Sequence, residues 1–270
     1  MEAVSLNNDT KMPALGFGLW QVSDEQACLD SVNWALEAGY RHFDTAQIYG
    51  NEAFLGKALA GSGVNRKELF ITTKIWNDNF FWDDLIPSFD ESLKNLQTDY
   101  VDLLLLHFPV TETRRPAWRK MEEIAKSGRA KAIGVSNYTI KHLEELLNEC
   151  EIKPAVNQVE LHVYLQQPEL IAFCKEQGII IEAYSPLAHG YGLDNPILAD
   201  IGKKYGKSAG QVMLRWCLEI GTVPLPKSVH EDRIKENLNV LDFKLDNDDM
   251  AKLTTLDKNY RTCWDPTHIA

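Results

Sequence analysis

The sequence is short of positive charge. Its 28 lysines and arginines face 39 aspartates and glutamates, a net charge of -11 with histidine neutral. Nucleic acid and anionic membrane surfaces both want a basic face, so neither is an expected partner, although a small local basic cluster is still allowed. Cysteine is scarce as well: five residues, at 28, 150, 174, 217 and 263, with no CxxC spacing and no signal peptide ahead of them. Reduced thiols in a cytoplasmic protein are the expectation. No apolar run nears the about 20 residues of a membrane helix. The longest, residues 101–106, has the length of a strand. The seven histidines are dispersed, with no HxH or HExxH, which argues against a metal-dependent barrel hydrolase; no metal is expected.

Two glycine motifs are incomplete. Gly16-Phe17-Gly18 begins like a dinucleotide fingerprint, but Gln21 stands where the third glycine belongs. Small residues easing a strand into a tight turn explain it more simply. Gly202-Lys203-Lys204-Tyr205-Gly206-Lys207-Ser208 has three residues between its glycines where a phosphate loop has four, and it follows a helix where a strand is required. It reads as one helix's end and the next helix's cap.

What the chain does have is a rhythm. Residues 4–13 read as a hairpin with a polar turn, suited to plugging one end of a barrel. Apolar strands are then expected at about 14–20, 41–44, 69–74, 100–107, 130–136, 155–160, 179–184 and 222–225. Helices are expected at 24–38, 52–60, 82–96, 117–126, 140–148, 168–176, 197–205, 209–219 and 233–238, with Gly39, Gly128 and Gly178 as stops. Alternation of this kind means a parallel sheet covered by helices. Eight such units in 270 residues favour an α/β fold, the closed (β/α)8 TIM barrel, with an N-terminal β-hairpin. No linker, repeat or low-complexity stretch divides the chain, so one domain over 1–270 is expected.

A barrel of this type carries its chemistry at the carboxyl ends of its strands. The second strand ends in Asp44, with Tyr49 on the loop beyond; the third ends in Lys74 and the fourth in His107. The fifth ends in Ser136-Asn137, the sixth in Gln158-Val159-Glu160 and the seventh in Tyr184-Ser185, and Lys227-Ser228 follow the eighth. Each has an ordinary explanation by itself: a helix cap, a solvated lysine, a core histidine. On three consecutive strand ends, a carboxylate with a phenol, an ammonium and an imidazole suggest proton chemistry. A free phenol has a pKa of roughly 10, and a buried cation beside it favours the phenolate.

These residues also carry a resemblance. Phe43-Asp44-Thr45-Ala46-Gln47-Ile48-Tyr49-Gly50-Asn51-Glu52, Thr73-Lys74-Ile75-Trp76, Leu106-His107-Phe108-Pro109, Gly134-Val135-Ser136-Asn137 and Pro226-Lys227-Ser228 together resemble the aldo-keto reductase family, from the hairpin through about residue 250. The resemblance implies reduction of an aldehyde or ketone by hydride from NADPH. It implies a catalytic tetrad: Tyr49 as general acid, Lys74 with Asp44 lowering its pKa, and His107 orienting the carbonyl. It implies that Ser136, Asn137 and Gln158 hold the nicotinamide carboxamide, that Tyr184 stacks on the ring, and that Ser185 and Leu187 lead to the pyrophosphate. Lys227, Ser228 and Arg233 would grip a 2′-phosphate, favouring NADP(H) over NAD(H), with Glu236 and Asn237 at the adenine; two cations and a hydroxyl near a helix start suit a phosphate. Trp20, Trp76, His107, Phe108 and Trp264 would wall the substrate pocket. Phe108 stands where the family usually has tryptophan, and Val163 where it often has proline. The loops after His107 and Tyr184 are short, so an open pocket and broad carbonyl specificity are expected, in a monomer. The competing expectation is a barrel that binds NADP(H) for a regulatory or structural role with little turnover.

Overall fold

In the computed structural model, which describes residues 2–81 and 84–270, the polar turn at the start folds into the expected hairpin. Strands β1 (Ala3–Ser5) and β2 (Lys11–Pro13) pair antiparallel, Val4 opposite Met12. The barrel follows in chain order: β3 (Phe17–Gly18), α1 (Glu25–Ala38), β4 (His42–Asp44), α2 (Glu52–Gly61), β5 (Phe70–Ile75), α3 (Leu85–Asn95), β6 (Val101–Leu106) and α4 (Arg114–Lys126). Then come β7 (Ala130–Ser136), α5 (Ile140–Leu147), β8 (Val156–Glu160), α6 (Pro168–Gln177), β9 (Ile180–Tyr184), α7 (Pro196–Tyr205), α8 (Ala209–Glu219), β10 (Val223–Pro224), α9 (Glu231–Leu238) and α10 (Asn247–Thr254).

Strands β3 to β10 lie side by side in chain order, every pair parallel. The ring is closed by two backbone bonds: Gly16 N–H donates to the Pro224 carbonyl at 3.0 Å and Gly18 N–H to the Pro226 carbonyl at 3.1 Å. This seam explains both glycines. A Cβ at Gly16 would meet His42 Nδ1 at 2.8 Å, and one at Gly18 would meet the Leu225 carbonyl at 3.0 Å. They serve close packing at the seam rather than the tight turn expected of them.

Successive residues of a strand face opposite ways, and the inward face of this barrel changes character along its length. At one end Phe70, Leu103, Leu105, Val156 and Val223 form a dry cluster with Leu6 and Met12 of the hairpin, which seals that end. Two residues further along β5 comes Thr72, then Lys74; along β4 the alternate residues are His42 and Asp44. The interior thus turns from hydrocarbon to buried charge toward the strands' carboxyl ends. The outward faces pack on the helices in a second, larger cluster.

The helices stop and start for visible reasons. Asp24 Oδ1 accepts from Ala27 N–H at 2.8 Å to cap α1, and Gly39, at φ 113°, ends it. Gly206, at φ 66°, ends α7, and Ser208 with Gln211 forms a capping box for α8, so the false phosphate loop is indeed an end and a cap. Helix α4 begins at Arg114, three residues before the sequence-based start, and α9 begins at Glu231, two residues before it. The helix expected over 82–96 spans Leu85–Asn95; Trp82 and Asp83 lie outside the described residues. Helix α10 was not expected, although Asp246 caps it through the Asp249 N–H. Among the described residues no helix is long and apolar enough to cross a membrane, and no group of three or more histidine, cysteine, aspartate or glutamate side chains is arranged to hold a metal ion.

Candidate active site

The stretch from Asp44 to Glu52 is held at almost every residue. Thr45 Oγ1 donates to Asn51 Oδ1 at 2.6 Å, and the Asn51 amide donates to the Leu19 and Val22 carbonyls. Gln47 Oε1 accepts from Trp76 N–H at 2.7 Å and from Asn79 Nδ2 at 2.9 Å, while its own amide reaches Ser88 and Ser92 on α3. Glu52 accepts from Thr73 Oγ1 at 2.5 Å. Gln47–Tyr49 is a single 3₁₀ turn, ended by Gly50 at φ 68°. This scaffolding fixes where the Tyr49 ring lies.

Lys74 points into the barrel and has no exposed surface. Its Nζ donates to Asp44 Oδ1 at 2.6 Å, to the Thr45 carbonyl at 3.0 Å and to Tyr49 Oη at 3.0 Å. Accepting from Lys74 leaves the phenol's own proton free to point elsewhere. The His107 ring meets the Tyr49 ring edge-on, centroids 5.7 Å apart. Four side chains from three adjacent strands and one loop thus converge.

Their protonation follows from burial and charge. Burial is the largest influence on Tyr49, and with Asp44 it outweighs the downward pull of Lys74, so the phenol sits above its ordinary value. The expectation that Lys74 and Asp44 together lower the Tyr49 pKa is therefore corrected. Only Lys74 pulls down; Asp44 and desolvation both favour the neutral phenol. Burial also opposes the charge on Lys74, but Asp44 and Tyr49 together overcome it and push the amine up to about 12. Burial, and Lys74 after it, hold His107 well below its usual value, so its imidazole is neutral. Its Nδ1 is buried with no hydrogen-bond partner among the described residues.

Asp44, Tyr49 and His107 line one end of a cavity of about 1060 Å³. Ser136, Asn137, Gln158, Tyr184, Ser185, Leu187, Lys227, Ser228, Arg233, Glu236 and Asn237, all expected at a cofactor, line it too. Several are already engaged with protein. Asn137, at φ 66°, donates from Nδ2 to the His107 carbonyl at 3.0 Å and accepts from Tyr184 Oη at 2.7 Å, which fixes the Tyr184 ring. Ser136 Oγ donates to the Gln158 carbonyl at 2.8 Å. Lys227 and Arg233, which line the same cavity, are in no ion pair among the described residues. Two unpaired cations and the Ser228 hydroxyl, itself bonded to the His230 backbone, line one cavity with a phenol and a set of amides, a lining that fits a polar, anionic cofactor.

Of the residues expected around a substrate, Trp20, His107 and Trp264 line the cavity. Trp76 and Phe108 do not; they meet Trp264 ring to ring, at 5.9 Å and 6.2 Å. Sequence reasoning missed other lining residues: Gln21, His189, Leu193, Ser208, Thr262 and Cys263. The Ser208 cap was recognisable as a helix start. Thr262 and Cys263 were not, because Glu160 brings them there: it accepts from Thr262 N–H at 2.6 Å, Thr262 Oγ1 at 2.6 Å and Cys263 N–H at 3.2 Å.

Comparison with known proteins points one way. A family model described as the aldo/keto reductase family matches residues 14–258. A glyoxal reductase of Bacillus subtilis (strain 168) is 46% identical over 268 residues, covering 99% of this chain and 97% of the relative. A methylglyoxal reductase, DkgA, of Escherichia coli (strain K12) is 44% identical over 269 residues, covering 97% and 96%. Among solved structures, an aldo-keto reductase (AKR2E5) complexed with NADPH superposes with a TM-score of 0.94 at 36% identity, covering 97% of this chain and 90% of that one.

Proposed function

The chain belongs to the aldo/keto reductase family, and from that premise we propose that it reduces small aldehydes, with NADPH as its reductant. The observation that carries this reading is the buried Lys74 ammonium, bonded at once to Asp44 and to the Tyr49 hydroxyl, both of which line the cavity. NADPH, when bound, would supply the hydride that the carbonyl carbon accepts, and Ser136, Asn137, Gln158 and Tyr184 would hold its nicotinamide.

The protein's own part is proton transfer and placement. As the carbonyl carbon is reduced, its oxygen gains negative charge, and Tyr49 gives that oxygen the phenolic proton. Lys74 does not need to ionise the phenol beforehand; it stabilises the phenolate left afterwards, and Asp44 holds the ammonium in place. The neutral His107 donates from Nε2 to the same oxygen and so sets the direction in which the carbonyl lies. Lys227, Ser228 and Arg233 would take the 2′-phosphate, and Glu236 and Asn237 the adenine. Asn137 keeps the Tyr184 ring turned for stacking. Trp20 and Trp264, both partly exposed, give an open aromatic mouth that suits small carbonyls of varied shape. Glyoxal and methylglyoxal are the substrates to try first, since two relatives carry those names.

The test is oxidation of NADPH, and in parallel of NADH, with glyoxal, methylglyoxal and an aromatic aldehyde. Turnover by the wild type is expected. Tyr49→Phe is expected to lose about 10²–10⁴-fold in kcat, the usual weight of a general acid, while still binding NADPH. Near-normal turnover by that variant removes Tyr49 from its role and the mechanism with it.

A further inference from the structure

Below the Lys74 cluster, inside the barrel, lies a carboxyl that this chemistry leaves unused. Glu182, in the middle of β9, has no exposed surface. Its Oε2 accepts from Gln158 Nε2 at 2.9 Å, and the same nitrogen donates to Asp44 Oδ2 at 2.8 Å. An amide nitrogen has two hydrogens, so the two carboxyl groups use both. The carbonyl oxygen of Gln158 is then the end left for the cavity that Gln158 lines. The other oxygen of Asp44 holds Lys74, and Lys74 holds Tyr49. Glu182, Gln158, Asp44, Lys74 and Tyr49 therefore form an unbroken chain of hydrogen bonds from the barrel axis to the phenol.

Other groups around Glu182 set its charge. From β4 come Asp44 and His42, whose Nε2 is 3.5 Å from Glu182 Oε1. From β5 come Lys74 and, behind His42, Thr72, whose Oγ1 is 3.1 Å from the same Nε2. From β8 comes Gln158, and on β10 the residue in register is the apolar Val223. Glu182 Oε1 has no hydrogen-bond partner among the described residues. Two buried carboxylates joined by one amide repel each other, and burial first, Asp44 second, push Glu182 up to about 8. A second carboxylate charge beside Asp44 is thus disfavoured.

We propose that Glu182 is a positioning residue of the proton-donating centre, acting through Gln158 to fix Asp44 against Lys74 and to turn the Gln158 carbonyl toward the nicotinamide's amide. The inference rests on the reductase reading of the site. With no acceptor at position 182, Gln158 is free to rotate. Asp44 then loses one of its two partners, and the cavity loses an oriented oxygen.

The test compares Glu182→Met, which removes the acceptor, with Glu182→Gln, which keeps one. NADP+ affinity is read from quenching of tryptophan fluorescence, and kcat, KM and their pH profiles from steady-state kinetics. Glu182→Met is expected to bind NADP+ roughly tenfold more weakly and to lose roughly tenfold in kcat, the scale of one lost hydrogen bond to a charged group, with KM for the aldehyde unmoved. Glu182→Gln is expected to recover both to within about threefold, as an acceptor restores the link. Wild-type affinity and kcat in Glu182→Met overturn the proposal, and so does equal impairment of the two variants. If Glu182→Met does not fold, Glu182→Leu and Glu182→Ala take its place with the same readouts, and wild-type affinity and kcat in whichever folds overturn the proposal. Tyr49→Phe runs alongside. If it still turns over, the reductase reading fails; if it is dead while Glu182→Met matches wild type, only the role of Glu182 fails.

Discussion

The Lys74 ammonium lies 3.0 Å from the Tyr49 hydroxyl and has no exposed surface of its own. The pair works by difference. Burial favours the protonated phenol, and in the proposed mechanism the ammonium stabilises the phenolate once the proton has gone. Lys74→Met removes that stabilisation and leaves Asp44 buried without its partner. A fall in kcat of about 10²–10³-fold is expected, with NADPH affinity within a few-fold. A stability loss of about 3 kcal/mol is expected from the broken buried pair. Steady-state kinetics and denaturant unfolding check the two, and a kcat within about tenfold of wild type would contradict the role given to Lys74.

Lys227 and Arg233 bear on cofactor choice. Both line the cavity, and partial burial lowers the pKa of Lys227 from its ordinary value. Unpaired cations held there would meet a 2′-phosphate and would be idle without one. The double variant Lys227→Ala, Arg233→Ala is expected to lose about 10²-fold or more in kcat/KM with NADPH, as charge-assisted bonds to phosphate are lost. Its kcat/KM with NADH should change little. A double variant that keeps the wild-type preference for NADPH would refute the assignment.

The open end of the cavity rests on Trp264, a residue more than half exposed that packs on Trp76 and Phe108. Trp264→Ala is expected to raise KM for an aromatic aldehyde by about threefold to tenfold, the worth of one aromatic contact, with kcat and NADPH binding unchanged. Glu160→Gln, which weakens the grip on Thr262 and Cys263, should act in the same direction through the tail. If KM stays constant in Trp264→Ala, the mouth lies elsewhere.

The order of strands and helices was legible because each strand is a short apolar run and each helix carries its own cap or glycine stop. Asp44, Lys74 and His107 were legible only together: each alone has an ordinary explanation, but a carboxylate, an ammonium and an imidazole on three consecutive strand ends of a barrel share one rim. The direction of the Tyr49 shift was not, since it depends on how much water burial removes, and depth has no one-dimensional signature. Glu182 and His42 were passed over for a related reason. Each looks like the polar member of an alternating strand, and only barrel closure turns that face inward, beside Asp44 and Lys74. The contact of Glu160 with Thr262 spans 102 residues, a separation at which spacing carries no information.

His42 is the clearest test of how dry that interior is. It has no exposed surface, lies two residues before Asp44, and meets the Phe70 ring edge-on at 4.7 Å. Burial lowers its pKa to about 3; the Pro13 backbone opposes this and Lys74 adds to it. In the unfolded chain an imidazole titrates near 6.5. Between those values the unfolded state takes up a proton that the native state refuses. The contribution of His42 to stability is therefore intact above pH about 6.5 and is lost as the pH falls toward 3. The loss at the acid end should be on the order of 3–5 kcal/mol. His42→Gln keeps a polar group facing Thr72 but cannot titrate, so its stability should fall less steeply from pH 7 to pH 4 than that of the wild type. Urea midpoints measured across that range give the difference directly, because the other acid-titrating groups, His107 among them, are common to both proteins. Parallel curves would mean that water reaches His42 and that the interior beside Lys74 is wetter than its burial implies.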